Sequence, residues 1–439
     1  MTIPQRYLLL FALALAARFA LIGTVLGTHT DGELRTLFAD TRSYTGPAAS
    51  LLHLGSLREA PVATALPMHV RTPGYPLFLA AHYAVFGLSQ APVLITQGLL
   101  GAAVALVVYT LARRWLAHER LALLVGVAAS VAPASVAASG MSVSDLVSYA
   151  LFASGLLAFA EGIARQRTWP VVGAGALWGA SCLVHPRLLL FPVAALVLGW
   201  LLARRVGRRV PWAALVASVA AFALFPLGWA ARNAHQLGFL NVSVTGNYNL
   251  KHHLAVDMCT RSDWRQSKPL RAQWLAAERA QMAAGVSVAE MNRQRFRDAW
   301  QVIAAQPLLA VRTYVYSALQ YLCSTGTDMV TLLPLRPWPR ARRVFQMSMA
   351  WMARVGVLVA VPGVVCLWRT DRWLAAALLV MAGYFVGIAA IGSRQSGRMI
   401  VQAEPAYLIL FVAGLQATAT RLMHTLGRRR APAGARGAA

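Results

Sequence analysis

The sequence predicts an all-α, polytopic integral membrane protein with about 10 to 12 transmembrane helices. Three observations carry that expectation. The 439 residues are 58% hydrophobic and only 13% charged, about half the charge of an ordinary globular chain. Apolar runs of about 20 residues recur along the chain, the length an α-helix needs to cross hydrocarbon. The basic residues, which set the formal net charge at +26, cluster mostly between those runs, where they fix topology rather than bind nucleic acid.

The first apolar run, TIPQRYLLLFALALAARFALIGTVLG, is longer than a signal-peptide core and holds Arg18, so it is expected as an uncleaved first helix over 6–27. Further spans are expected at 91–112, 121–140, 146–163, 169–184, 188–203, 211–231, 347–367, 373–391 and 405–420. Arg113/Arg114/Arg120, Arg165/Arg167 and Arg204/Arg205/Arg208/Arg209 follow every second helix, which puts them and the N-terminus inside. All fifteen acidic residues except Glu119, Glu161 and Asp371 then fall on the outer side.

This divides the chain into an N-terminal transmembrane module, 1–232, with a first outer loop at 28–90 that carries interfacial helices, a larger outer loop at 233–306, a C-terminal transmembrane module at 307–425, and a basic, disordered tail at 426–439. The stretch 307–345 could cross the membrane or lie along its surface, since the arginine counts on either side nearly balance. In HVRTPGYPLFLAAHYAVFG, Pro73 and Pro76 fix the start of an apolar helix too short to span, which is expected to lie in the outer interface.

Composition and motifs also exclude. Cys182, Cys259, Cys323 and Cys366 show no CxxC spacing, so no zinc or redox motif is present, although Cys259 and Cys323 could pair. No G-x-x-x-x-G-K-[ST] occurs. Ion-coupled transport is disfavoured because no carboxylate falls in mid-span and the intramembrane charges are Arg18, Arg354 and Arg312.

Polar residues that could carry chemistry gather on the outer side. In FADTRSYTGPAASLLHLGSL, Asp40, Tyr44, Ala48 and Leu52 share one helical face; Asp40 could act as a general base or merely cap the helix. Ser142-x-x-Asp145 at the mouth of another helix reads as a capping box as readily as a site. His185-Pro186-Arg187 forms an outer turn whose arginine could grip a phosphate or snorkel to headgroups. NVSVTGNYNLKHHLAVD brings Lys251, His252 and His253 to the large outer loop; adjacent histidines make a weak metal signal there.

The D-x-x-x-Y of the first outer loop followed by R-x-P-G-Y-P-L-F-L-A resembles the GT-C superfamily of polytopic glycosyltransferases, especially bacterial members akin to protein mannosyltransferases and aminoarabinose transferases. HPRLLLFP, TGNYNL, RDAWQVIAAQPLLAVRTYV and SRQSGRMIVQAEPAYLIL follow in the family's order. The resemblance implies transfer, with inversion, of a sugar from a polyprenyl-phosphate donor to a glycolipid, polysaccharide or protein acceptor at the periplasmic face of the bacterial inner membrane. It implies Asp40 as the catalytic base, with Asp145 orienting the acceptor or sharing a divalent cation with it. Tyr44, Arg71, Tyr75, His185, Arg187, Lys251, His252 and Arg398 are then candidates for substrate binding, with Arg187, Lys251, His252 and Arg398 the candidates for the leaving phosphate and Arg71 at the lip of the cavity. It further implies that SRQSGR lies outside and the C-terminal arginines inside, so that 307–345 makes no net crossing. Two departures stand out: Gly397-Arg398-Met399 replaces the family's arginine-tyrosine pair, and His185 stands where relatives carry arginine. A flippase or non-catalytic binder of polyprenyl lipids would use the same arginines without needing Asp40.

Overall fold

A computed structural model describes residues 1–323, 328–335, 337–392 and 397–430, without the side chains of 39 and 424–430. The expectations for 393–396, Arg336, the C-terminal arginine side chains and 431–439 lie outside what is described. No strand forms among the described residues; an isolated bridge between Arg58 and Pro67 closes a turn of the first loop.

In chain order the helices are α1 (Ile3–Thr28), α2 (Asp31–Leu34), α3 (Ala39–Leu54), α4 (Gly74–Phe86), α5 (Ala91–Trp115), α6 (Glu119–Val131), α7 (Pro133–Ser139), α8 (Asp145–Arg165), α9 (Thr168–Val184), α10 (Phe191–Arg205) and α11 (Trp212–Leu237). There follow α12 (Thr245–Asn249), a π-helical turn (Leu250–Ala255), α13 (Val256–Cys259), α14 (Trp264–Ala283), α15 (Val288–Ala305), α16 (Pro307–Leu322), α17 (Met329–Leu332), α18 (Pro339–Thr370), α19 (Arg372–Ile391), a 3-10 turn (Gly397–Ala403) and α20 (Glu404–Arg430). Among the described residues, 7 helices are long and apolar enough to cross a membrane, or 9 if the bent pairs α6/α7 and α15/α16 each count as one. That count leaves out the shorter helices α9, of 17 residues, and α10, of 15, on either side of the turn at Pro186–Leu188, so it does not reach the expected 10 to 12.

The two ends of the bundle differ in charge chemistry. At one, the three carboxylates read as inner are all paired: Glu119 with Arg6 and Arg113, Glu161 with Arg114 and Arg165, and Asp371 with Arg205. The other end gathers α3, α4, the turn after α9, the turn before α20 and the helices 245–305. Of the 307–345 stretch, α16 meets α15 at 106°, Leu332 of α17 packs with Leu21, Leu34 and Val136, and α18 then runs to Asp371.

Packing between spans relies on close backbone approach, since lipid offers no hydrophobic driving force between helices. A Cβ at Gly175 would overlap the Ser218 carbonyl of α11, and one at Gly363 the Leu410 carbonyl of α20. The α6/α7 break at Pro133 frees carbonyls inside the bundle, where they need a partner. Arg18, fully buried in α1, supplies it: its Nη1 donates to Ser130 O at 2.8 Å and to Ala14 O at 3.1 Å. Glu404, one residue before the last predicted span, is buried at the start of α20 within electrostatic reach of Arg18 and Tyr149. The sequence reading, which found no intramembrane carboxylate, missed this couple because Glu404 stands at the edge of its apolar run. Cys259 and Cys323 are free thiols, so the suggested pairing does not form.

Candidate active site

Helix α3 starts after Phe38, so Asp40 lies in its first turn rather than at its cap. Its face is set by Tyr44 and Ala48, buried against Tyr75, Leu79, Ala80 and Tyr83 of α4. The predicted stripe ends there: Pro47 lies within the helix and Leu52 is exposed, Leu51 packing in its place. The π-system of Tyr44 meets Tyr75 edge-on at 5.0 Å, and the Tyr75 hydroxyl donates to Gln97 Oε1 at 2.9 Å. Tyr75 thus locks α4 to α5 from a fully buried position, and Tyr44 donates to or accepts from Ser144 at 2.8 Å.

This packing delivers Asp40 into a pair of arginines. Arg71 Nη2 donates to Asp40 Oδ1, while Arg71 Nε donates to Ser43 Oγ at 2.9 Å and its guanidinium lies 5.1 Å from the Tyr44 ring centre. Arg398 Nη2 donates to Asp40 Oδ2 at 2.5 Å, and its Nη1 lies 3.4 Å from Asp145 Oδ2. Arg398 thereby bridges the two carboxylates, across 358 positions of sequence from Asp40. Burial alone would raise the Asp40 carboxyl, but Arg71 and Arg398 hold it down at about 2.

Asp145 is the first residue of α8, yet no capping box forms: Ser142 Oγ donates to Gln90 Oε1 at 2.7 Å, and Asp145 Oδ1 accepts from Arg187 Nη2 at 2.8 Å. Both terminal nitrogens of Arg187 are engaged. Its Nη1 donates to Met399 O at 2.5 Å and Gln402 Oε1 at 2.7 Å, its Nη2 also donates to His185 Nε2 at 2.9 Å, and its own carbonyl accepts from the Tyr384 hydroxyl at 2.8 Å. Burial, then the nearby Arg187, Arg71 and Arg398, hold His185 well below the ordinary imidazole range, so the ring is a neutral acceptor. The two carboxylates differ in reach: the Asp40 side chain is 26% exposed and that of Asp145 3%.

Lys251 and His252 go elsewhere. Lys251 Nζ lies 2.7 Å from Asp298 Oδ2 and 3.0 Å from Glu278 Oε1, and His252 Nε2 lies 2.9 Å from Glu278 Oε1. They pin the π-helical turn to α14 and α15. His253 is the member of the trio within electrostatic reach of Asp40. Sequence reasoning overlooked Gln402 and Tyr384. Gln402 had a readable signal, a polar residue four after Arg398 in QSGRMIVQAEP, whereas Tyr384 sits in an uninterrupted apolar run and had none. Asp328, which also faces Arg398, was not singled out either.

No group of three or more His, Cys, Asp or Glu able to hold a metal ion occurs among the described residues. Asp40 and Asp145 share the Arg398 guanidinium.

Residues 70–229 match the family model for dolichyl-phosphate-mannose-protein mannosyltransferase. Among solved structures, the chain is similar to ArnT from Cupriavidus metallidurans bound to undecaprenyl phosphate, at 18% identity and a TM-score of 0.43 over 98% of this chain and 82% of that one. It is also similar to ArnT from the same organism in the apo state, at 18% identity and a TM-score of 0.34 over 89% and 76% of the two chains. No curated protein matches the chain. The matched family segment contains Arg71, Asp145, His185 and Arg187 of the site, in a polytopic, all-helical chain.

Proposed function

We propose that this site moves a sugar from a polyprenyl-phosphate carrier to a hydroxyl of a glycolipid, polysaccharide or protein acceptor, with inversion at the anomeric carbon, at the periplasmic face of the bacterial inner membrane. The observation that carries the reading is Asp40 between Arg71 and Arg398, a carboxylate and two phosphate-type receptors in one partly open site. The family description, with its dolichyl-phosphate-linked sugar, supports a donor of the same chemical kind.

In the transfer, the acceptor oxygen attacks the anomeric carbon from the face opposite the phosphate and its proton passes to a carboxylate Oδ of Asp40. The glycosidic C–O bond breaks and its electron pair leaves on the phosphate. Guanidiniums fixed in advance where that charge accumulates stabilise the transition state more than the ground state. Arg71 and Arg398 supply them directly, and Arg187 holds Asp145 and the 397–403 turn so that Arg398 keeps its place. His185, being neutral, orients Arg187 without adding charge. We read the group shared by Asp40 and Asp145 as the Arg398 guanidinium, and expect transfer to persist after treatment with a chelator. Lys251 and His252 act at one remove, by holding the turn that carries His253.

The test follows label from a panel of polyprenyl-phosphate sugars into endogenous acceptors, in membranes with equal amounts of wild type or Asp40→Asn. Incorporation by wild type that is lost in the variant supports the reading. Equal incorporation moves the base away from Asp40. No incorporation with any donor, with carrier lipid still bound or translocated, makes the protein a flippase or lipid binder instead.

A further inference from the structure

Both oxygens of Asp40 are engaged: Oδ1 by Arg71 and Oδ2, at 2.5 Å, by Arg398. A carboxylate held by two guanidiniums is a poor base for an acceptor hydroxyl, because both cations stabilise its charged form. Each of its two arginines spends an Nη2 donor on it, and carboxylate and phosphate oxygens compete for the same guanidinium N–H fork. Resting on the proposed transfer, we propose that Asp40 is the resident counter-ion of the donor-phosphate site. The incoming phosphate displaces it from Arg71 and Arg398, and only then is the base free.

The geometry says which contacts exchange and which stay. Arg187 keeps its place, because Asp145, Gln402 and the Met399 carbonyl all hold it. Arg398 keeps Asp145 within 3.4 Å as a second anchor, and Asp328 also faces it. Of the two carboxylates bridged by Arg398, Asp40 is the partly exposed one, so it is the one free to swing aside. No bond forms or breaks in the exchange; two charge-assisted contacts pass from one anion to another. The consequence is an order of binding, donor before acceptor, built into the site.

The exchange makes a prediction opposite in sign to the usual loss on mutating a site residue. Farnesyl phosphate, with farnesol as the uncharged control, is titrated against the full-length protein in detergent, wild type and Asp40→Asn. Removing the competing anion should tighten farnesyl phosphate binding by about tenfold or more and leave farnesol unchanged, while Arg398→Gln weakens it. Equal or weaker binding by Asp40→Asn overturns the exchange yet leaves the donor assignment standing. If neither wild type nor variant binds farnesyl phosphate, the donor assignment falls and the exchange with it. A measurement on wild type alone guards against a misfolded variant: carbodiimide labelling of Asp40, read by peptide mass spectrometry, should rise severalfold when farnesyl phosphate is added. Unchanged or reduced labelling under saturating ligand counts against release of the base.

Discussion

Asp40 and Asp145 are both aspartates facing Arg398, and burial separates their roles. Breaking a buried ion pair leaves an uncompensated charge and costs about 3–5 kcal/mol, so Asp145→Asn, which strips the 3%-exposed partner from Arg187, should lower the thermal unfolding midpoint clearly. Asp40→Asn should disturb stability far less while abolishing transfer. The reverse ranking would exchange the two assignments. Protonation sharpens the contrast. The folded-state value of Asp40, about 2, lies below the ordinary carboxylate value of about 3.9. Its contribution to stability is therefore present above pH of about 4 and is lost as pH falls toward 2. Because kcat/KM reports the free enzyme, its acid limb should lie well below pH 4, whereas the limb in kcat should move up once phosphate has taken the arginines. Coincident limbs would mean that Asp40 stays paired throughout turnover. At this scale the sequence showed which residue types could do the chemistry, but not that Ser142 would bond Gln90 instead of capping α8, because that choice is made by tertiary contact.

Among the elements, α1, α5, α8 and α11 were legible because each is an apolar run longer than a bilayer is thick. The turn at Pro186 that divides α9 from α10 was legible too, but hydropathy does not decide whether helices of 17 and 15 residues cross. Nor does hydropathy tell which small residues face a neighbour. Gly175 and Gly179 form a G-x-x-x-G in α9, and a Cβ at either would overlap α11 backbone at Ser218 or Phe222. Gly175→Leu should force α9 and α11 apart and cost about 1–3 kcal/mol, read as a lower unfolding midpoint in detergent. Gly173, with open space around it, is the matched control. An equal effect of Leu at both positions would refute the close approach.

Across the whole molecule, the sequence-level argument from charge placement corresponds to one end of the bundle that carries structural ion pairs and another that carries the site. What it could not show is that residues from 40, 71, 145, 187 and 398 converge, since that depends on how five separate helices and turns pack. Within the 245–305 segment, one buried carboxylate ties α14 and α15 to the π-helical turn. Glu278 accepts from Arg295 through Nε at 3.1 Å and Nη2 at 2.8 Å, and faces Lys251 and His252. Burial would raise it, but His252, Arg295 and Lys251 hold it at about 2. Its stabilisation is accordingly full above pH of about 4 and fades as pH falls toward 2. Glu278→Gln removes the carboxylate that Lys251, His252 and Arg295 share among the described residues, so at neutral pH α14 should loosen from the π-helical turn and residues 261–287 become the first site of limited proteolysis. Transfer should fall as well, because the turn carries His253 toward Asp40, while farnesyl phosphate binding, set by Arg71 and Arg398, should be retained. Loss of binding together with transfer would show that α14 and α15 support the arginine pair itself, and would make the loop a structural part of the donor site rather than a cover over it.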